Sequence, residues 1–252
     1  MPMTETTTDY GRLIVDEKAA LFARAASLIA AAGPATANRA GQACTVAFSG
    51  GSTPQEWYRW CVVQQALPAA ATANTCFTVS DERCVPLADP QSNFGHADRL
   101  LLTPLKISPE RRQPWPVTLE PAGAAANYRA TLRALAGAGH NRERAYDVCF
   151  LGMGDDGHTA SLFPGSPLLH ADGGDFFAAV EVPGKGWRLT ITPSGLGACG
   201  QIIVLALGAN KADMLHRVLS GPYDPSTLPI QILRSCADRV LWLVDGAAAS
   251  KL

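Results

Sequence analysis

Short apolar runs alternate with amphipathic stretches along most of this chain. Continuous apolar runs predict strands over residues 44–49, 75–80, 146–152, 175–182, 201–208 and 239–245, with 175–182 nearer a sheet edge. The alternating RLTIT (188–192) predicts a half-exposed strand. Helical periodicity predicts helices over residues 16–33, 54–67, 93–102, 122–137 and 209–221. Gly33-Pro34 and Gly221-Pro222 are typical helix stop signals.

This order of elements predicts an α/β fold. Continuous apolar strands separated by helices are typical of a Rossmann-like, largely parallel sheet covered by helices on both faces. Residues 239–245 are the strand that we expect to close the sheet. Ligands bind such sheets beyond the carboxyl ends of the strands, which here carry the loops SGGST, SDER, GMGDDGH and GANK. We therefore expect the four loops to meet at one edge of the sheet.

Length and composition predict one domain over residues 1–252, with 1–11 as a short flexible lead-in. The first residues, MPMTETTTDYG, lack the basic start and apolar core of a secretory signal, and no apolar run approaches the length of a membrane span. A net charge of −1, with 17% charged residues, gives no support for nucleic acid or an acidic membrane as a partner. The seven scattered cysteines suit a reducing cytoplasm.

One spacing is that of a dinucleotide-binding fingerprint. Gly152, Gly154 and Gly157 follow an apolar run in the pattern G-x-G-x-x-G. That fingerprint needs a long helix directly after the turn, but Pro164 and Gly165 follow within eight residues of Gly157. We therefore expect no nucleotide cofactor, and we expect the glycines to present the histidine that follows them.

That histidine, His158, is the leading candidate for a catalytic group. It follows a glycine turn at the carboxyl end of a predicted strand, and Asp155 and Asp156 precede it. An imidazole whose tautomer is fixed by a carboxylate is a general base suited to neutral pH. A lone histidine is more often a capping or core residue, but this setting favours the catalytic role. Either aspartate could orient the ring.

The SGGST loop predicts an anion site. It lies between a strand and a helix N-terminus, where backbone N–H groups and the helix dipole attract phosphate. Its residues are Ser49, Gly50, Gly51, Ser52 and Thr53. The spacing differs from that of a nucleoside-triphosphate P-loop, and a tight strand–helix turn would also need the glycines.

Charged side chains follow other predicted strands. Arg83, after Asp81 and Glu82, could direct its guanidinium at negative charge that develops on a substrate, or form a structural ion pair. Arg188 and Lys211 stand at loop edges of the same sheet, where each is either an anion ligand or a solvated surface charge.

Neither a metal site nor a covalent nucleophile is indicated. The G-x-S-x-G elbow of serine hydrolases is missing, and no group near Cys84 favours a thiolate. The remaining histidines have no metal-ligand spacing to one another; they are His96, His140, His170 and His216. We therefore expect chemistry without a metal or another cofactor.

Together these segments resemble the 6-phosphogluconolactonases. FSGGSTP (48–54), SDERCVPLADPQSNFG (80–95) and LGMGDDGHTASLFPG (151–165) carry the resemblance, which extends in order and spacing from about residue 43 to residue 249. GHTASLFP is a highly specific segment. The related glucosamine-6-phosphate deaminases have an Asn-Glu-Pro-containing segment after their histidine, and this sequence lacks it.

The resemblance implies a sheet of the sugar-phosphate isomerase and deaminase type without a nucleotide. It implies hydrolysis of 6-phospho-D-glucono-1,5-lactone to 6-phosphogluconate in the oxidative pentose phosphate pathway. The resemblance also implies that His158 is the general base and that Asp156 and Arg83 are the other catalytic residues. Phosphate recognition falls on the 49–53 loop, Arg188 and Lys211. We expect a small-molecule substrate as the partner, and a monomer or weak homo-oligomer.

One position departs from the family pattern, and two other functions stay open. The residue before Asp156 is often proline in such proteins and is Asp155 here, a second carboxylate that could compete to orient His158 and change the pH optimum. The first alternative is a sugar-phosphate deaminase or isomerase on the same fold. The second is a non-catalytic sugar-phosphate sensor, although no basic stripe or DNA-binding helix pair supports one.

Overall fold

The computed structural model describes residues 3–37, 43–135, 144–170 and 174–252. Its strands are β1 (Thr4–Thr8), β2 (Gly11–Asp16), β3 (Cys44–Phe48), β4 (Thr75–Val79), β5 (Asp81–Arg83), β6 (Val148–Gly152), β7 (Phe177–Val182), β8 (Gly186–Ile191), β9 (Gln201–Ala206) and β10 (Val240–Asp245). Its α-helices are α1 (Lys18–Ala37), α2 (Ser52–Val63), α3 (Ala69–Thr72), α4 (Asn93–Ala97), α5 (Pro121–Leu135), α6 (Pro193–Gly197) and α7 (Ala212–Ser220). A π-helical turn covers Asp98–Leu102, and 3-10 segments cover Pro109–Arg111, Pro167–His170, Ala209–Lys211 and Pro229–Arg239. Residues 136–137 of the predicted helix 122–137, and His140, lie outside the described residues.

The larger sheet has seven strands in the order β1-β2-β10-β9-β6-β3-β4. Among the described strands of this sheet, only the β1–β2 pair is antiparallel, and the other five pairs are parallel. Every residue of β3 and β4 is buried, which requires cover on both faces of the sheet. The α/β fold with a largely parallel sheet flanked by helices is therefore confirmed. Strand β10 lies between β2 and β9, so the expectation that it closes the sheet is wrong.

A second sheet carries part of the functional edge. It has three antiparallel strands in the order β5-β8-β7. The strands predicted over 175–182 and 188–192 belong to this small sheet, and β7 is at its edge. Strand β5 is only three residues long and follows β4 after a single residue, Ser80. The SDER segment therefore joins the two sheets.

The N-terminal segment is more ordered than the sequence predicts. Thr4–Thr8 pairs along its length with Gly11–Asp16, from Thr4 opposite Val15 to Thr8 opposite Gly11, so the expected lead-in is a strand over these residues. Threonine is a strand-forming residue, but this run is exposed and carries no apolar alternation. Its hydrogen bonds to β2, which is anchored by β10, supply the order that the pattern does not reveal.

Helix α1 continues through its predicted stop signal. It extends to Ala37 with Pro34 in its last turn. The proline ring has no N–H, so the helix loses one hydrogen bond there, but its backbone angle is compatible with the helix. Gly33 is buried against α3, where a Cβ would lie 2.5 Å from the carbonyl oxygen of Ala71. The glycine therefore serves helix packing and does not end the helix.

Aromatic packing fixes the start of α2 against the end of β3. The Phe48 ring stacks on Phe77 of β4 at 5.6 Å between centroids, and Trp57 of α2 stacks on Phe150 of β6 at 5.0 Å. The indole Nε1 of Trp57 donates to the carbonyl of Phe22 at 3.1 Å. The loop between β3 and α2 is therefore held by buried contacts on both of its sides. None of the helices within the described ranges is long and apolar enough to cross a membrane.

Candidate active site

An open cleft of about 190 Å³ lies at the carboxyl ends of β3, β4 and β6. Three of the four loops that the sequence places at this edge line it with Ser49, Gly50, Gly51, Asp81, Arg83, Gly152, Met153, Gly154 and His158, and Asn93 and Ala160 complete the lining. The loop after β9, which carries Lys211, reaches the site through an ion pair described below. Three of the four loops therefore line the cleft, as predicted, and the fourth contacts one of these three loops without lining the cleft itself.

The imidazole of His158, which lines the cleft, forms a close polar pair with Asp156. The imidazole Nδ1 lies 2.5 Å from Asp156 Oδ1, and the same carboxylate oxygen accepts the backbone N–H of His158 at 3.1 Å. An ionised carboxylate only accepts, so Nδ1 carries a hydrogen that it donates to Asp156. This leaves Nε2 as the ring nitrogen that can take a proton from a substrate or a water molecule.

The environment of Asp156 keeps its carboxylate charged. Partial burial alone would raise the pKa of Asp156, but the hydrogen bonds from the His158 side chain and backbone lower it more, and the resulting pKa is below the ordinary value. The side chain is 49% exposed, so water also screens its charge. The carboxylate that accepts from Nδ1 therefore places a negative charge beside the imidazole.

The glycines after β6 make room for the imidazole. A Cβ on Gly154 would lie 2.0 Å from His158 Nδ1, closer than any non-bonded contact allows. Gly157 has a φ of +79°, in the left-handed region that glycine adopts without strain. The Gly154 N–H donates to the His158 carbonyl at 2.8 Å and closes the turn. The next helical segment is the short Pro167–His170, not the long helix of a dinucleotide site.

Asp155 has a different partner from Asp156. Its Oδ1 lies 2.6 Å from Lys211 Nζ, in the 3-10 segment after β9. The Asp155 side chain is 79% exposed, whereas that of Lys211 is 21% exposed. Of the two carboxylates beside His158, therefore, Asp156 orients the ring and Asp155 holds a lysine.

Two arginines lie directly opposite each other beside the cleft. Arg83 of β5 pairs with Arg188 of β8 in the antiparallel register, so both side chains are on the same face of the small sheet. Burial, and next the charge of Arg83, lower the pKa of Arg188. Among the described residues, their guanidinium contacts are with backbone carbonyls, Arg83 with Gln91 and Arg188 with Trp187. Like charges so placed favour a bound anion.

Glu82, between Asp81 and Arg83, is fully buried and anchors α4. Its carboxylate accepts four hydrogen bonds, three at 2.8 Å from the backbone N–H groups of Arg83, Asn93 and Phe94 and one at 3.0 Å from the Ser92 hydroxyl. Burial raises the pKa of Glu82, and these four hydrogen bonds oppose the rise. Glu82 is therefore held by donors of its own segment and of α4, whereas the neighbouring Arg83 lines the cleft.

Asp81 connects the SDER segment to the histidine loop. Its Oδ2 accepts the Ser161 hydroxyl at 2.6 Å, and its backbone carbonyl accepts Asn93 Nδ2 at 2.9 Å. The Asn93 Oδ1 in turn packs against Gly50, where a Cβ would lie 2.0 Å away. Asn93 therefore links the first two loops, and Ser161 links the second to the third.

The SGGST loop leads into α2 with its helix N-terminus open. Gly51 has a φ of +104°, and no side chain caps the first turn of α2. The carbonyl of Ser49 accepts the Tyr58 hydroxyl at 2.8 Å, which fixes the loop to the helix. Ser49, Gly50 and Gly51 line the cleft, whereas Ser52 and Thr53 begin the helix outside its lining residues.

Sequence reasoning missed two residues of the cleft wall. Asn93 lies within the quoted segment SDERCVPLADPQSNFG, but nothing in its spacing predicts its contact with Asp81. Ala160 has a φ of +47°, a left-handed conformation that its residue type does not reveal. In the described part of the chain, no group of three or more His, Cys, Asp or Glu side chains could hold a metal ion.

Comparison with known proteins gives consistent matches. Residues 16–242 match the family model described as glucosamine-6-phosphate isomerases/6-phosphogluconolactonase. A 6-phosphogluconolactonase of Nostoc sp. is 32% identical over 241 residues, which cover 95% of this chain and 97% of the relative. A rabbit protein named GDH/6PGL endoplasmic bifunctional protein is 31% identical over 236 residues, and the match spans 90% of this chain but 28% of that protein's length.

A solved structure gives the same result for the fold. The 6-phosphogluconolactonase of Trypanosoma brucei superposes with a TM-score of 0.78 at 25% sequence identity. The superposition covers 99% of this chain and 100% of the trypanosomal chain. The two chains therefore share their overall fold over nearly their whole length.

Proposed function

Because the chain belongs to the glucosamine-6-phosphate isomerase/6-phosphogluconolactonase family, we propose that it hydrolyses 6-phospho-D-glucono-1,5-lactone to 6-phosphogluconate, a step of the oxidative pentose phosphate pathway. The observation that carries the proposal is one cleft that contains His158, oriented by Asp156, and Arg83. These groups supply a base, a charge partner for that base and a cation for developing negative charge, which lactone hydrolysis requires.

In this proposal His158 activates water. Nε2 removes a proton from the water molecule as its oxygen forms a bond to C1 of the lactone, and the carbonyl oxygen becomes an oxyanion. Asp156 stabilises the resulting imidazolium through Nδ1. Arg83 or N–H groups of the 49–53 loop stabilise the oxyanion. The C1–ring oxygen bond then breaks, and the ring oxygen takes the proton back from Nε2. A δ-lactone is a reactive ester, so no covalent intermediate is needed.

The phosphate of the substrate is held at the other end of the cleft. The open N-terminus of α2 in the 49–53 loop, Arg188 and Lys211 are the residues that we assign to it. Arg188 lies opposite Arg83 in the small sheet, and an anion bound to Arg188 would reduce the repulsion between the two guanidinium groups. Binding energy from the phosphate then orients the ring for attack at C1.

The test is disappearance of freshly generated lactone, corrected for spontaneous hydrolysis, with wild type and His158→Asn side by side. We expect rapid turnover by the wild type and a kcat about 10²- to 10⁴-fold lower in the variant, with KM retained. His216→Asn, the same change at an exposed histidine of α7, is the matched control and should resemble the wild type. Equal turnover by wild type and His158→Asn would move the base to another group.

Two alternatives give different results in the same samples. A deaminase would release ammonia from glucosamine 6-phosphate and leave the lactone to hydrolyse spontaneously. A sensor would bind 6-phosphogluconate and turn over neither compound. The base, carboxylate and arginine in one cleft favour the lactonase over the sensor, which has no use for a base. The seven scattered cysteines, which form no C-x-x-C pair, support a reducing cytoplasm for the protein, which we take to be a monomer or weak homo-oligomer.

A further inference from the structure

The imidazole of His158 is stacked on an aromatic ring. The ring centroids of His158 and Phe163 lie 4.3 Å apart with an interplanar angle of 25°. The ammonium group of Lys185 also lies over the Phe163 ring, 5.6 Å from its centroid. Lys185 belongs to the turn between β7 and β8, so an element of the small sheet contacts the residue that covers the proposed base.

A tight turn folds Phe163 back over the histidine. Thr159 and Leu162 form an isolated bridge, and the Leu162 N–H donates to the Thr159 carbonyl at 2.9 Å. Ala160, inside this turn, has the positive φ noted above. Ser161 is tied to Asp81 at 2.6 Å and to the Thr190 hydroxyl at 3.1 Å. The left-handed backbone of Ala160 and the two contacts of Ser161 thus maintain the turn that places the Phe163 ring against the imidazole.

The hydrogen bond to Asp156 does not by itself fix the imidazole plane. The Asp156 side chain is 49% exposed, so the carboxylate and the ring can move together while the hydrogen bond persists. Such a movement would displace Nε2 from the line along which it removes a proton. An aromatic face stacked on the ring prevents it, and it also attracts the imidazolium that forms when Nε2 is protonated.

We propose that Phe163 is a positioning residue for His158: Asp156 fixes the edge of the imidazole, Phe163 fixes its face, and Lys185 holds the Phe163 ring. This rests on the proposed function, because it assigns Phe163 to the base of that reaction. Phe163 acts through His158 and need not touch the substrate. Its loss should therefore lower kcat and leave KM almost unchanged.

The kinetic test compares Phe163→Leu with Phe163→Tyr. Leucine keeps apolar volume but has no flat face, so we expect kcat to fall about 10- to 100-fold, as for a small misplacement of a reacting group. Tyrosine keeps the stacked face and should retain most of kcat. Tyr223→Leu is the matched control, because Tyr223 is also an aromatic residue with a cation, Arg234, over its ring at 5.4 Å, whereas the ring stacked on His158 is that of Phe163.

Lys185→Met provides a second, independent arm. Alone it should lower kcat less than Phe163→Leu, and in the double variant it should add nothing, because Lys185 acts only through the Phe163 ring. The proposal is overturned if Phe163→Leu matches the wild type, if leucine and tyrosine are equally impaired, or if the loss is in KM alone. Additive losses in the double variant would overturn the role of Lys185.

A spectroscopic measurement separates this proposal from the lactonase assignment. In the free protein, the carbon-bound protons of the His158 ring should be shifted by the ring current of Phe163 in the wild type and in Phe163→Tyr, and the shift should be lost in Phe163→Leu. This needs no substrate. Failure of the wild type to hydrolyse the lactone would reject the proposed function while the shift still reports the stack. An unshifted wild-type spectrum would reject the stack, whatever the activity.

Discussion

Asp155 and Asp156 are adjacent in the chain, but their carboxylates bind different partners. Asp155 contacts the ammonium group of Lys211 at 2.6 Å, and Asp156 contacts the imidazole of His158 at 2.5 Å. The sequence offers both carboxylates to the histidine and does not distinguish them. The glycine turn distinguishes them, because it returns the chain so that Asp156 faces Nδ1 while Asp155 faces the loop after β9.

The two aspartates should therefore respond differently to the same substitution. Asp156→Asn keeps an acceptor for Nδ1 but removes the charge that stabilises the imidazolium, so we expect kcat to fall about 10²-fold, within the range that an acid–base interaction supplies. Asp155→Asn frees Lys211 and should leave kcat close to that of the wild type. Steady-state kinetics on both variants decide the matter, and equal losses in kcat would contradict the assignment of Asp156.

The lowered pKa of Asp156 predicts a specific pH dependence of stability. Its ionised form is favoured in the folded state, so it contributes stability above the ordinary aspartate pKa of about 3.9 that is lost as pH falls through the lower, folded value. Urea unfolding should show a difference between wild type and Asp156→Asn at about pH 5 that shrinks as the pH falls below about 4. The difference should stay within about 1 kcal/mol, because the side chain is half exposed. If the difference in unfolding free energy instead increased as the pH fell below about 5, the predicted direction of the pKa shift of Asp156 would be contradicted.

Gly154 should tolerate no side chain. In Gly154→Ala the new methyl group would overlap His158 Nδ1, so the ring must move away from Asp156, and we expect kcat to fall about 10²-fold. Gly197→Ala is the control, because a Cβ at Gly197 meets nothing within 4 Å. Thermal melts should show both variants folded. An unchanged kcat in Gly154→Ala would mean that the Nδ1–Asp156 contact is dispensable.

Arg188 should matter for binding and not for the chemical step. Arg188→Gln removes one of the two opposed guanidiniums, and the loss of a charged hydrogen bond of about 1.5–3 kcal/mol corresponds to a KM about 10- to 100-fold higher. Inorganic phosphate should raise the Tm of the wild type and raise that of the variant less. Arg234→Gln is the control, since Arg234 pairs with Asp9 at 2.8 Å on the surface. Equal phosphate protection in wild type and Arg188→Gln would remove Arg188 from the phosphate site.

Glu82 should contribute to the stability of the folded protein. Glu82→Ala leaves three backbone N–H groups and the Ser92 hydroxyl without their acceptor, and we expect it to lower the free energy of unfolding by at least about 3 kcal/mol. Glu82→Gln keeps one acceptor oxygen and should cost less, about 1–3 kcal/mol. Urea unfolding measures both. The prediction fails if glutamine and alanine cost the same.

The sequence predicts the parts of the site that depend on local chemistry. The 49–51 segment, Arg83 and His158 follow strands whose apolar pattern is plain, and the carboxyl ends of neighbouring parallel strands meet by geometry. Lys211 follows β9 of the larger sheet, whereas the position of Arg188 opposite Arg83 depends on a second sheet. That sheet begins at the three-residue β5, which is too short to give an apolar pattern.

Other features depend on contacts that no local pattern encodes. Threonines at 4–8 form a strand only because β2 is there to pair with them, and β2 is itself held by β10. Gly33 looks like a helix stop until its close approach to Ala71 is known. Asn93 and Phe163 are in quoted segments, but their partners, Asp81 and His158, face them only after the loops have folded. In each case the deciding neighbour is tertiary.

The pairing of β2 with β10 has a consequence for synthesis of the protein. These strands are separated by nearly the whole sequence, and β1 depends on β2 for its own hydrogen bonds. During translation the edge of β2 that pairs with β10 has no partner until β10 has left the ribosome, so the burial of Leu13 and Ile14 in the sheet cannot be completed before then. The pairing of β2 with β10 must be among the last steps of folding. Closing so long a loop costs conformational entropy, and only the contacts between the two strands can offset that cost. A nascent chain that stalls before β10 would therefore offer chaperones the same apolar edge that the complete protein hides.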